Sequence, residues 1–95
     1  MTVIWKFTLP KACQEHEGAV INMPQGATIL SCQQQGRELM LWAKVDEKAS
    51  LEGRKFIICG TGHPINERLS LDHVGTIQLG ESWSPLVLHV FEVLS

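Results

Sequence analysis

The chain has no run of eighteen apolar residues, no Cys-x-x-Cys pair and no cluster of basic side chains. Each absence removes a class of function. Without such an apolar run no segment is suited to cross a bilayer as a helix. At the N-terminus Trp5 and Lys6 stand where a secretory leader carries an unbroken apolar stretch, so the chain reads as cytosolic. Cys13, Cys32 and Cys59 are an odd number, spaced by 19 and 27 residues, which fits neither a disulfide framework nor a zinc finger. Free, mostly buried thiols are expected instead. The eight Lys and Arg residues are scattered, apart from the pair Arg54-Lys55, and the net charge is -2. That pattern offers no footprint for duplex nucleic acid, whose phosphates call for clustered positive charge.

What is present is enough apolar material for one core. Hydrophobic residues make up 44% of the 95 and charged residues 19%, which excludes the disordered class, and the length suits a single domain over residues 1–95. No repeat, linker or low-complexity tract interrupts it. A domain this small has modest stability, so an oligomeric interface would be a useful supplement.

The apolar residues are patterned for strands. Val3, Trp5, Phe7 and Leu9 alternate with Thr2, Ile4, Lys6 and Thr8 over residues 2–9, the period of a half-buried strand that Pro10 ends. The polar segment 11–18 reads as a loop or hairpin tip, and 19–23 as a second strand stopped by the turn residues Pro24-Gln25-Gly26. A third strand is expected over 27–34. In a fourth, Leu39, Leu41, Ala43 and Val45 alternate with Met40, Trp42 and Lys44, so both faces are largely apolar. Residues 46–53 read as a charged connection, Phe56-Ile57-Ile58-Cys59 as a strand covered on both sides, and 63–73 as an ordered loop. Strands over 74–79 and 85–94 complete the set. About seven short strands imply an all-β fold, a compact antiparallel sandwich or partly open barrel. The first and last strands are both strongly apolar, which predicts that they lie inside the sheets or pair across a subunit boundary.

Chemistry concentrates at Gly60, Thr61, Gly62 and His63, where the apolar run gives way to a glycine-flanked loop. Two glycines permit positive φ and close approach to the main chain, and backbone N–H groups with His63 would suit a phosphate or carboxylate. A structural turn explains the glycines equally well. The loop is no P-loop, since the lysine and the following Ser or Thr are absent. Arg54 and Arg68 flank it in sequence and would supply charge to a phosphate-bearing ligand, with Trp83 as an exposed aromatic platform; Trp5 reads as core. Cys59 and His63, four residues apart, allow a nucleophile and base, and His73 or His89 a metal site, but the candidates are dispersed. Cys59 reads more simply as a core residue. No paired carboxylates stand out, so no catalytic residue, metal or cofactor is assigned.

The segments Ile4-Trp5-Lys6-Phe7, Met23-Pro24-Gln25-Gly26-Ala27, Leu41-Trp42-Ala43, Gly60-Thr61-Gly62-His63-Pro64-Ile65, Gly75-Thr76-Ile77-Gln78 and His89-Val90-Phe91-Glu92 occur in this order. Together they make the chain resemble a family of small proteins of unknown function encoded by tailed bacteriophages and prophages. The resemblance covers nearly the whole chain, departs from the family in a longer segment over 11–18, and brings no catalytic residues with it. It implies the cytoplasm of an infected bacterial host. The expected function is that of a phage accessory protein, not an enzyme, that forms a homo-oligomer and counters an antiviral defence. It would do so by sequestering a nucleotide-derived signal at the 60–63 loop or by binding a host defence protein through apolar edge strands. The alternatives are a small enzyme acting on a nucleotide or phosphoester through His63, and a structural or assembly component of the phage particle.

Overall fold

In the computed structural model, which describes residues 1–15, 17–81 and 84–95, seven strands form two antiparallel sheets packed as a sandwich. They are β1 (Thr2–Leu9), β2 (Ala19–Pro24), β3 (Thr28–Gln35), β4 (Glu38–Asp46), β5 (Leu51–Gly60), β6 (Leu71–Glu81) and β7 (Ser84–Val93). The first sheet has the order β1-β4-β3 and the second β2-β5-β7-β6. The sheets remain separate, so the architecture is a sandwich and not a barrel. Among the described residues no helix is long and apolar enough to cross a membrane.

Alternation decides what lies between the sheets. From β4, Leu41, Ala43 and Val45 point inward and are essentially inaccessible, and from the facing sheet Met23, Phe56, Ile58, Ile77, Leu88 and Val90 meet them. A short 3-10 turn of helix at Lys11–Gln14 follows Pro10 and plugs one side of this core with the fully buried Cys13. All three cysteines are free and buried, and burial pushes each thiol pKa up.

One ion pair sits on the core side. Arg54 of β5 donates from Nε to Glu92 Oε2 (2.6 Å) and from an Nη to Glu92 Oε1 (2.8 Å), a bidentate pair with side chains only 19% and 12% exposed. Its other Nη donates to the carbonyl of Ala27, at the entry to β3. The guanidinium therefore ties the second sheet to the first. Its hydrogen bonds to Glu92 raise its pKa, against the opposing effect of burial.

Three stretches differ from the sequence reading. Residues 51–53, the end of the stretch read as connection, are strand, because β5 starts at Leu51 and is shared: Leu51–Phe56 pair with β2 and Lys55–Gly60 with β7. Residues 71–73 are strand too, and the pairing slips between His73 and Gly75, which leaves Val74 as the extra residue of a bulge. Trp5 is 37% exposed, since β1 is an edge strand whose inner face is only half covered.

Candidate functional site

The end of β5 is built by a tight turn. The His63 N–H donates to the Gly60 carbonyl (3.1 Å), and Gly62, third in this four-residue turn, has φ 85°. That angle is the left-handed value a type II turn demands at its third position. Gly60 has a different role. A Cβ there would stand 2.8 Å from His63 Nδ1, so the bare Cα is what lets the imidazole fold back over the strand.

On one side of the turn lies a cleft of about 350 Å³, lined by Gln14, Glu15, Cys59, Gly60, His63 and Asn66 with flanking apolar groups. Its floor follows from strand pairing. The β2–β5 ladder stops at Ala19–Phe56, so residues 57–60 have no β2 residue opposite them. On the other flank the Thr61 N–H donates to the Val87 carbonyl (3.2 Å), which extends the β5–β7 ladder one step beyond Gly60–Leu88. Backbone groups of successive residues in a strand point to opposite neighbours. Those of Ile57, Cys59 and Thr61 therefore face β7, and those of Ile58 and Gly60 face the cleft side, where the Gly60 carbonyl already accepts the His63 N–H. The Ile58 side chain belongs to the core, and Ile58 is also among the residues lining the cleft, in keeping with the direction of its backbone groups.

On the other side of the turn, the outer face of the second sheet carries a chain of polar contacts. Thr61 Oγ1 pairs with His89 Nε2 (2.7 Å), His89 Nδ1 with Thr76 Oγ1 (3.1 Å), and Thr76 Oγ1 with His73 Nε2 (3.2 Å). The register puts His89 between Cys59 and Thr76, and the His73 ring meets Phe91 edge-on at 5.3 Å. This chain fixes the loop to β7 and β6. Its hydroxyls and rings can exchange hydrogen bonds with a ligand, while neighbouring Cys59 is held as a neutral thiol by burial. Among the described residues no group of three or more His, Cys, Asp or Glu is placed to hold a metal ion.

The residues singled out from the sequence are only partly gathered. Gly60, Thr61, Gly62 and His63 form the turn, but the N–H groups of Thr61 and His63 are both donated to carbonyls of the fold. Successive free N–H groups for a phosphate are therefore not what the turn presents. Arg54 lies six residues back along β5, about 20 Å at strand spacing, on the core side and engaged by Glu92. Arg68 is exposed on the 63–70 loop, with its N–H donated to Asn66 Oδ1 (3.0 Å), and is not part of the cleft wall. Trp83 falls outside the described residues. Gln14, Glu15 and Asn66, and the linkage of His89 to Thr61 and Thr76, were not found by sequence reasoning. Their only sequence signal is an ordinary polar residue in a loop or on a strand, and what joins them is tertiary.

No curated protein and no solved structure matches the chain. A family model described as Domain of unknown function (DUF7352) matches residues 1–95, and the chain belongs to that family.

Proposed function

We propose that this member of the DUF7352 family is a binding protein, and that the cleft beside residues 57–60 takes an extended segment of a partner protein. The segment would add to β5 where β2 stops. The observation that carries this reading is the cleft of about 350 Å³ beside residues 57–60, beyond the end of the β2–β5 ladder, on the side to which the pairing register turns the backbone groups of Ile58 and the N–H of Gly60. Among the described residues no strand pairs with β5 on this side beyond Phe56; such an edge offers main-chain hydrogen bonds to a peptide, and pockets beside it sort side chains. Four residues of edge span about 13 Å, which suits a short segment.

Charge favours a peptide over a phosphate-bearing ligand. Among the described residues lining the cleft there is one carboxylate, Glu15, and no Lys or Arg. Such a wall repels phosphates and prefers a segment that carries a basic side chain. In the setting implied by the phage resemblance, the partner would be a bacterial antiviral defence protein, held and blocked in the host cytoplasm.

The test is to pan a yeast-displayed library of random peptides against the purified chain, beside a thermal-shift series with cyclic dinucleotides and ADP-ribose derivatives. The expected result is enrichment of extended, base-containing peptides whose affinity falls about tenfold in Gly60→Ala, where the new Cβ displaces the His63 ring, and no shift with the nucleotides. A nucleotide that raises the melting temperature while no peptide is enriched would replace this reading by the small-ligand one.

A further inference from the structure

We infer that β1 is the contact strand of a homodimer, in which two copies pair antiparallel about a two-fold axis at Trp5 and join their first sheets into one of six strands. This surface is distinct from the cleft and stands independently of the function proposed for it.

The inference starts from how the sheet edges are protected. Proteins blunt exposed edges with bulges, prolines, short strands, charges or covering elements, because a bare edge recruits other strands. The edges here are β1 and β3 in one sheet and β2 and β6 in the other. β3 is bulged between Ile29 and Ser31, and β6 between His73 and Gly75. These two edges also shield each other, since a Cβ on Gly75 would stand 2.8 Å from Cys32 Sγ. β2 is short, six residues ending in Pro24. β1 has none of these devices: its eight residues hold no proline, no glycine and no register shift. It exposes Ile4 at 62% and Trp5 at 37%. Its one charged residue, Lys6, does not guard the edge, because its Nζ donates across the sheet to Gln35 Oε1 (2.8 Å).

The register of the pairing can be read from the hydrogen bonds already made. The Glu47 N–H donates to the Met1 carbonyl (3.4 Å), one step beyond the Thr2–Asp46 pair. Odd-numbered residues of β1 therefore direct their backbone groups to β4, and Thr2, Ile4, Lys6 and Thr8 direct theirs outward. Two copies related by a two-fold perpendicular to the sheet must pair residues whose numbers sum to an even value, since otherwise opposite faces would be joined. Centring on Trp5 uses nearly the whole strand. Thr2 then meets Thr8 and Ile4 meets Lys6, giving about eight new N–H···O bonds from the four outward residues of each copy. On the inner face Trp5 meets Trp5 of the second copy, flanked on each side by Val3 against Phe7. Val3 and Phe7 already pack on the core, so the apolar interior would run on through the joined sheets.

A like-with-like contact at the axis makes a sharp test. Trp5→Glu and Trp5→Lys are examined singly and as an equimolar mixture by sedimentation velocity at about 100 µM, with thermal unfolding as the check that each still folds. The wild-type chain of 10.6 kDa is expected to sediment as a dimer. Each variant alone should dissociate at least about tenfold more readily, and the mixture should recover a one-to-one heterodimer. In the wild type, the amides of Ile4 and Lys6 should gain exchange protection with rising concentration while those of Val3 and Phe7 stay protected throughout. A wild-type chain that sediments as a monomer, or single variants that dimerise as well as their mixture, would overturn the inference.

Discussion

Removing the guanidinium of Arg54 should cost this small domain a large share of its stability. In Arg54→Met the Glu92 carboxylate, in a residue only 9% exposed, loses both of its charged donors, and the Ala27 carbonyl loses its contact with Arg54. Leaving one partner of a buried pair uncompensated costs about 3–5 kcal/mol. The two side chains keep 19% and 12% exposure, which lets water offset part of that, so the lower end, about 3 kcal/mol, is expected. A domain of this length holds about 5–14 kcal/mol in all. In equilibrium urea denaturation, with a slope of about 1.5 kcal/mol/M, the midpoint should fall by about 2 M. The double variant Arg54→Met, Glu92→Leu removes both charges together and should recover to within about 1 kcal/mol of wild type. A single variant that loses less than about 1 kcal/mol, or a double variant as unstable as the single, would refute the reasoning. If peptide binding failed in Arg54→Met while stability held, Arg54 would return to the ligand-binding role its sequence position suggested.

Two smaller effects are open to the same methods. Gly62→Ala places a Cβ at φ 85° with no neighbour within 4 Å, so its cost is backbone strain alone, about 1–2 kcal/mol by urea denaturation; no loss would mean that the turn relaxes to another type. Burial holds the pKa values of Cys13, Cys32 and Cys59 above their ordinary value of 9.0. The folded state then binds more protons than the unfolded one above that pH. Thermal stability should accordingly be flat in this respect below about pH 8.5 and fall as the pH rises through the unfolded thiol range. Replacing all three cysteines by alanine or serine should remove that slope, even though it lowers the stability itself.

The strands most legible in the sequence are those with one buried face and no polar business on it. Thr2–Leu9 and Leu39–Val45 alternate because β1 and β4 each turn one side to the core. Leu51–Lys55 escaped because its polar residues have tertiary partners that periodicity does not reveal. A Glu52 carboxylate oxygen accepts the Gly26 N–H (3.1 Å), Gly53 lies against Val20, and Arg54 pairs with Glu92. The bulge at Val74 broke the alternation of Leu71–Leu79 in the same way. Cys59 is buried as expected but points to the outer face beside His89, outside the main core cluster. The loop around His63 was visible from its glycines. The cleft was not, because it exists only where β2 ends short of β5, and the His89–Thr76 contact depends on a strand order that the sequence does not carry.

The most direct test of the binding cleft is amide hydrogen exchange at Ile57, Ile58 and Cys59, measured by NMR with and without a peptide selected by panning. In the free chain Ile57 and Cys59, paired to β7, should be protected, and Ile58 should exchange at least about tenfold faster. With peptide bound, Ile58 should become as protected as its neighbours. An Ile58 amide already protected in the free chain, or one left unprotected when the peptide is bound, would contradict strand addition at this edge.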